Sequence, residues 1–124
     1  MAGSIKLKLG ITASYGSGAL SLDHSRSLTV TTAGDHPHAT VQDVGFAAHE
    51  ALVIPAEIGT AGWAWFQNMD ATNFVQIGLD VSAAFVPFAK LLPGEATAIR
   101  LSTDAIYAKA DTGAVKLYFL ITEA

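Results

Sequence analysis

The chain has 124 residues, 51% of them hydrophobic and 15% charged, a formal net charge of −4 and no cysteine. A chain of this length can bury a sizeable core, and we expect one domain over residues 1–124. The missing cysteines exclude a disulfide framework and thiolate metal sites. The acidic balance and scattered basic residues argue against nucleic-acid binding, and no apolar run approaches the ~20 residues of a membrane-spanning helix.

The apolar content is high for a small soluble monomer, whose large surface needs polar cover. Part of that surface is therefore expected to contact other protein chains. Residues 1–9 alternate between apolar and polar from the start, without the continuous apolar segment and cleavage site of a signal peptide. Synthesis and first folding are accordingly expected in the cytoplasm.

The first third of the chain has the pattern of β-strands. Residues 5–12 alternate with period two, as in a half-buried antiparallel strand. Residues 14–18 are a turn by composition, and residues 19–30 look extended, with an interruption at 23–26 that fits either a turn between two strands or a polar bulge. The β-branched run at its end should continue as strand until Pro37, which cannot donate to a ladder.

The next segment, residues 38–54, mixes strand signals with one helical one. Residues 38–46 predict a strand, and residues 47–51 are the one place where a helical turn is plausible on propensity. Residues 52–54 predict a short buried strand that Pro55 ends.

A central hairpin is predicted over residues 62–80, where two apolar runs flank a polar turn. The first arm, residues 63–66, carries both tryptophans. The second arm, residues 74–80, alternates with period two. The turn, residues 68–73, is rich in Asn and Asp, whose short side chains bond nearby backbone. The residues expected to shape it are Asn68, Asp70 and Asn73, and those expected to share one face of the second arm are Val75, Ile77 and Leu79.

The last third continues as short strands. Pro87 makes residues 85–90 an edge strand or an extended connection. Pro93 and Gly94 predict a type II turn, because proline presets its first central position and glycine accepts the positive φ of the second. Two short extended runs follow, and the strand at 115–122 is apolar on both sides beyond Leu117, as in a central or partner-covered strand.

Turn signals every 8 to 12 residues and the lack of an amphipathic helix indicate an all-β fold. We predict a single antiparallel β-sandwich or jelly roll of about eight to ten short strands.

The second half of the chain resembles small structural proteins of tailed bacteriophages and prophages, which occur as decoration, minor capsid or tail-associated components. The matching segments are NMDATNFVQIG (68–78), FVPFAKLLPGE (85–95), YAKA (107–110) and the apolar C-terminal strand. The resemblance implies a non-enzymatic virion role without a cofactor. The implied partners are further copies of the chain, in a trimer or other closed ring, and the major capsid or tail proteins; contact is expected first at the N-terminal and C-terminal strands.

No constellation of residues indicates catalysis or a metal site. His36 and His38 flank a proline, with Asp35 and His24 as further candidate ligands, but a polar loop explains them more simply than zinc, which needs three or four ligands. Residues 16–18 (GSG) lack the strand and helix of a nucleophile elbow. His49 has no second histidine four residues later, as a zincin helix requires.

Four aromatic residues are candidates for contact with a partner or a glycan. Trp63 and Trp65 share one face of a strand, as sugar-stacking platforms would, although large aromatics favour core packing in a small sandwich. A carbohydrate-binding or host-adhesion module is therefore the alternative function. Tyr107 and Tyr118 fit either the core or a subunit contact.

Overall fold

A computed structural model describes the backbone of residues 3–15, 20–34 and 36–124, and the side chains of residues 3–14, 23–34 and 36–124. The chain forms two compact units, Met1–Asp35 and His36–Ala124. As predicted, the fold is all-β, and its strands are antiparallel. The strands are β1 (Gly3–Tyr15), β2 (Leu20–Thr32), β3 (Pro37–Val44), β4 (Glu50–Ala51), β5 (Ala61–Asn68), β6 (Val75–Val81), β7 (Ala84–Leu91), β8 (Ala96–Arg100), β9 (Tyr107–Ala110) and β10 (Val115–Glu123).

The first unit contains a two-stranded ribbon in which β1 and β2 pair without a register shift from Gly3 opposite Thr32 to Tyr15 opposite Leu20. The interruption predicted at residues 23–26 is neither a turn nor a bulge. Its polar residues lie within β2 and bond across the ribbon, where Thr12 Oγ1 donates to Asp23 Oδ1 at 3.2 Å. Most of the turn predicted at 14–18, and Asp35, lie outside the described residues.

The second unit is a sandwich of two four-stranded sheets. Sheet I has the order β3-β10-β5-β8 and sheet II the order β4-β9-β6-β7. Alternate residues of each strand point inward, so period-two sequences supply one shared core. Its largest fully buried apolar side chains are Phe66, Phe119, Ile58, Ile77, Ile106, Leu117, Ile121, Val44, Val75 and Val115.

The central hairpin prediction is wrong in its pairing. β5 belongs to sheet I and β6 to sheet II, so residues 69–74 cross between the two sheets and do not fold a strand back on its neighbour. Asn68 holds the crossing: its buried Nδ2 donates to the carbonyl oxygens of Asn73 (2.9 Å) and Leu91 (3.0 Å). Asp70 completes it by accepting the backbone N–H groups of Asn73 (2.6 Å) and Thr72 (3.0 Å). These two donors, Asn73 first, lower the pKa of Asp70.

Several local predictions are confirmed. β7, which contains Pro87, is an edge strand of sheet II. The turn after it has the type II pattern, with Gly94 at φ +82° and Glu95 N–H donating to the Leu92 carbonyl at 2.9 Å. Val75 and Ile77 lie in the core, and Leu79 packs against it.

Other local predictions need correction. The helical turn expected at 47–51 is absent; residues 46–48 are bends, and the short 3-10 helix lies at Ala56–Ile58, after Pro55. Residues 52–54 are not a strand. Leu52 is buried and Ile54 packs against the core, while Val53 is 69% exposed. The C-terminal strand β10 lies between β3 and β5, so it offers no free edge for a partner.

Candidate interaction surface

The face of sheet I that points away from the core is apolar where a solvated sheet would be polar. Residues directly opposite one another in neighbouring strands share a face, and the register places two adjacent rows of apolar side chains there. We call this surface the outer face. Its apolar members are Ala39, Val41, Trp65, Ala96, Ala98, Tyr118 and Leu120 in these two rows, with Trp63 and Pro37 in the row beyond.

Trp65 is at the centre of the outer face. It lies opposite Leu120 on one side and Ala98 on the other, and it is 39% exposed. Its Nε1 donates to Gln67 Oε1 at 3.4 Å, which directs the indole along the sheet surface. Core packing was the favoured interpretation for the two tryptophans, and for Trp65 it is wrong: Phe66 takes the inward position, and Trp65 lies on the opposite side of the strand.

Trp63 lies one row further along the same strand, opposite Arg100, and is half-buried. Thr122 fixes its backbone, since the Thr122 hydroxyl accepts from Trp63 N–H at 3.0 Å and donates to the Trp63 carbonyl at 3.1 Å. The indole Nε1 is buried and has no hydrogen-bond acceptor among the described residues. A buried donor without an acceptor is unfavourable, so this end of the outer face would gain from an added acceptor.

Tyr118 and Val41 extend the outer face toward β3. Tyr118 lies between Val41 and Gln67, and Val41 is 51% exposed. The row beyond them is polar: Lys116 Nζ lies 2.9 Å from Asp43 Oδ1, and both side chains are well exposed. Such an exposed ion pair contributes little to stability, but it marks the boundary of the apolar surface.

Tyr107 lies elsewhere, on the side of sheet II away from the core, beside His49. The His49 ring stacks on Phe85 with centroids 5.3 Å apart and meets the Tyr107 ring at 5.6 Å. His49 Nε2 lies 2.8 Å from Asp80 Oδ2, and the Ala83 N–H donates to Asp80 Oδ1 at 3.0 Å. The structure therefore groups Trp63, Trp65 and Tyr118 but separates Tyr107 from them.

The hydrogen bond with His49, followed by that with Ala83, lowers the pKa of Asp80 below 3.8. A carboxyl whose pKa is lower in the folded than in the unfolded chain contributes its full stability above about pH 4 and loses it as pH falls through the folded value. We therefore expect Asp80→Asn to lower the melting temperature by a constant amount above about pH 5. Thermal unfolding from about pH 2.5 to 6 should show the two curves converging below about pH 4. Parallel curves over that whole range would contradict the prediction.

His36 and His38, which were weighed as candidate metal ligands, have other neighbours. His36 Nδ1 lies 2.7 Å from Glu123 Oε2, and the His38 ring lies 6.0 Å from that of Phe119. Within the part of the chain that the structure describes, no three His, Cys, Asp or Glu side chains could hold a metal ion together. A cleft of about 380 Å³ near residues 59–61 and 100–104 is lined by Leu101 and otherwise by polar and small residues, including Arg100 and Asp104.

No family model, curated protein or solved structure matches this chain. In residues 3–15, 20–34 and 36–124, no helix has the length and apolar character needed to cross a membrane.

Three of the aromatic residues of the outer face were predicted from the sequence as candidate contacts, but their aliphatic neighbours were not. Val41, Leu120 and Ala39 were missed, although the strand at 115–122 carried a signal. Beyond Leu117 this strand has apolar residues on both of its sides. Only one side can face the core, so the set on the other side, Tyr118 and Leu120, faces away from it. In a central strand of a sandwich, that second set must face outward.

Proposed function

We propose that this chain is a non-enzymatic structural protein of a bacteriophage virion. It acts as a capsid decoration or tail-associated component that assembles with copies of itself and with the major capsid or tail proteins. The observation that carries the assembly role is the apolar outer face of sheet I. The virion assignment rests on the resemblance of residues 68–78, 85–95 and 107–110 to such proteins.

The outer face has the composition of a protein interface core. It combines two tryptophans and a tyrosine with aliphatic side chains, and its charged residues, including Lys116 and Asp43, lie at the margins. Interface cores are enriched in aromatic residues and depleted in charge. Fully burying a large apolar side chain contributes about 1.5–3 kcal/mol, so covering the exposed side chains of Trp65 and Val41 would favour association.

The edges of sheet II are less suited to assembly than this face. β7 contains Pro87, and the register shifts opposite it, between Ile77 and Gly78. β4, at the other edge of sheet II, has only two residues. Proline, irregular register and short edge strands are devices that prevent strand addition, so contact through the face of sheet I is the better supported mode.

Particle binding tests the proposal. Purified particles of the phage or prophage that carries this coding sequence are mixed with the chain and sedimented. We expect the wild-type chain to co-sediment, and Trp65→Ser and Val41→Ser to bind at least tenfold more weakly, because a central interface residue contributes about 2 kcal/mol or more. Val53→Ser is the matched control, since Val53 is 69% exposed and lies off the outer face. Unchanged binding by both outer-face variants, or no binding by the wild type, would reject the proposal.

Carbohydrate binding is the second candidate, and the exposure of Trp65 favours it. An exposed indole beside the Gln67 amide offers a stacking surface with an adjacent polar group, which suits a sugar ring. In that case Trp65→Ser abolishes glycan binding, whereas Val41→Ser, in the adjacent row, leaves it intact. A panel of glycans that leaves tryptophan fluorescence unchanged would eliminate this candidate.

A further inference from the structure

The ribbon of β1 and β2 has two open edges. Among the described residues its sheet contains only these two strands. Each strand has 13 residues, and neither carries a proline or a register shift. An isolated two-stranded hairpin is marginally stable at best, and a long regular edge is a template for strand addition. The edges of sheet II are protected against strand addition by Pro87 and the register shift in β7 and by the short length of β4, but the ribbon has none of these features.

One face of the ribbon is apolar and the other polar. The apolar face pairs Ile5 with Val30 and Leu7 with Leu28, and these four side chains are half-buried. The polar face carries lysines, serines and threonines. A strand added to either edge must place its own apolar residues on the apolar face of the ribbon. When a strand pairs with its own copy, an odd-numbered residue must therefore lie opposite an odd-numbered one, and an even-numbered residue opposite an even-numbered one.

The edge of β2 is guarded against pairing with a second β2. The midpoint of β2, Leu20–Thr32, is Arg26. Antiparallel pairing of two identical strands over their full length places the midpoint residue opposite its own copy. Two arginines would then lie directly opposite each other, which is destabilising, and an inward-pointing charge is a known protection of an edge strand.

The edge of β1 has the opposite property. The midpoint of β1, Gly3–Tyr15, is Leu9, which belongs to the apolar face. Full-length antiparallel pairing places Leu9 opposite its copy, Lys8 opposite Gly10 and Lys6 opposite Thr12. A shift of one strand by two residues toward its start places Lys8 opposite Lys8 of the other copy. A shift by four residues places Lys6 opposite Lys8. Full overlap is thus the longest register that keeps the lysines apart.

We propose that the ribbon is a self-association site in which β1 pairs with β1 of a second copy of the chain, antiparallel, across a two-fold axis at Leu9. The result is a four-stranded sheet, β2-β1-β1-β2, in which the apolar residues of the two central β1 strands lie side by side on one face, with Arg26 and His24 of β2 at its flanks. The pairing supplies backbone hydrogen bonds that β1 lacks on its open edge, and it places Leu7 beside Ile11 and Ile5 beside Ala13 of the other copy. None of the residues of this site belongs to the outer face of the sandwich. The inference rests on the proposed self-assembly and names one contact through which it occurs.

Disulfide trapping tests the register, because the chain contains no cysteine. Leu9→Cys is oxidised with oxidised glutathione and resolved on a non-reducing gel. Directly opposed residues of an antiparallel pair have Cα atoms about 4.5–5.5 Å apart, within disulfide range, so a covalent dimer is expected. Ile5→Cys, on the same apolar face, is the matched control: its copy would lie about 26 Å away along the strands at ~3.3 Å per residue. It should remain monomeric on the gel.

A second variant separates edge pairing from the packing of two apolar faces. Lys6 and Thr12 lie on the polar face, and only edge pairing brings Lys6 of one copy opposite Thr12 of the other. We expect the K6C/T12C double variant to form a covalent dimer and neither single variant to do so. Equal trapping of Leu9→Cys and Ile5→Cys, or no trapping of K6C/T12C, overturns the inference.

The failure of this inference is distinguishable from that of the proposed function. Loss of particle binding with Leu9 trapping intact rejects the virion role alone. Particle binding that depends on Trp65 but without Leu9 trapping rejects the ribbon contact alone.

Discussion

Replacing Asn68 by Asp is expected to lower the free energy of unfolding by about 4 kcal/mol at pH 7, although the two side chains have the same shape. Asn68 is fully buried, and its Nδ2 donates to the carbonyl oxygens of Asn73 and Leu91 at 2.9 and 3.0 Å. A carboxylate has no donor for these oxygens, so both hydrogen bonds would be lost and a charge would be buried beside two carbonyl dipoles. Oδ1 would still accept the Asp70 N–H.

The loss should depend on pH in a defined direction. Burial raises the pKa of a carboxyl group at position 68 above its unfolded value of about 3.9. The variant is therefore least destabilised at low pH, where the group is neutral in both states and can donate one hydrogen bond, and the deficit grows as pH rises through the folded pKa. Urea unfolding of wild type and variant at about pH 4 and pH 7, followed by tryptophan fluorescence, measures both differences.

Asn73→Asp is the control for this experiment. Its side-chain Oδ1 accepts from the Thr112 hydroxyl at 3.0 Å, a role that a carboxylate retains, and its residue is only half-buried. We expect a change within about 1 kcal/mol. An Asn68→Asp variant as stable as the control, or one equally destabilised at both pH values, would show that Asn68 does not hold the crossing between the sheets.

Asn68 also shows why the strand pairing could not be predicted from the sequence. A polar segment of Asn, Asp and Thr suits a hairpin loop and a crossing between sheets equally well, because both need turn residues. The difference is made by a distant partner, the Leu91 carbonyl, 23 positions later in the chain. By contrast, the type II turn at Pro93 and Gly94 and the edge position of Pro87 depend on the backbone of those residues themselves, and both predictions are confirmed.

The orientation of the tryptophans had a related limit. Period-two alternation establishes that Trp63 and Trp65 share a face and that Ala64 and Phe66 share the other, but not which face meets the core. The larger size of the tryptophans favoured placing them in the core. In the structure it is Phe66 that lies in the core, with its ring centroid 6.5 Å from that of Phe119. The outer face arises because β10 has apolar residues on both of its sides. Pairing with β3 and β5 then places Val41, Ala39 and Trp65 beside the outward-facing residues of β10, which makes one continuous apolar surface.

Gly78→Ala is expected to be the most disruptive single-methyl change in the sandwich, with a loss of about 4 kcal/mol or more in unfolding free energy. An added Cβ at Gly78 would overlap the Val86 carbonyl and lie 2.6 Å from Pro87 Cα. Both obstacles are backbone, so no rotamer change relieves them. The close approach arises where β6 pairs Ile77 with Ala89 and Gly78 with Pro87, which leaves Phe88 as an extra residue in β7.

The matched control for Gly78→Ala is Gly45→Ala. There the added Cβ meets only the flexible carboxylate of Glu50, at 3.5 Å, an ordinary contact. We expect that variant to unfold within about 1 kcal/mol of wild type in urea, because removing a glycine also restricts the unfolded chain. The Gly78 variant should instead show a lower urea midpoint, or fail to give soluble protein while Gly45→Ala does. Equal midpoints for the two variants would mean that β7 can move away from β6 at little cost. In that case the bulge at Phe88 would be a flexible edge and would not protect the sandwich against strand addition.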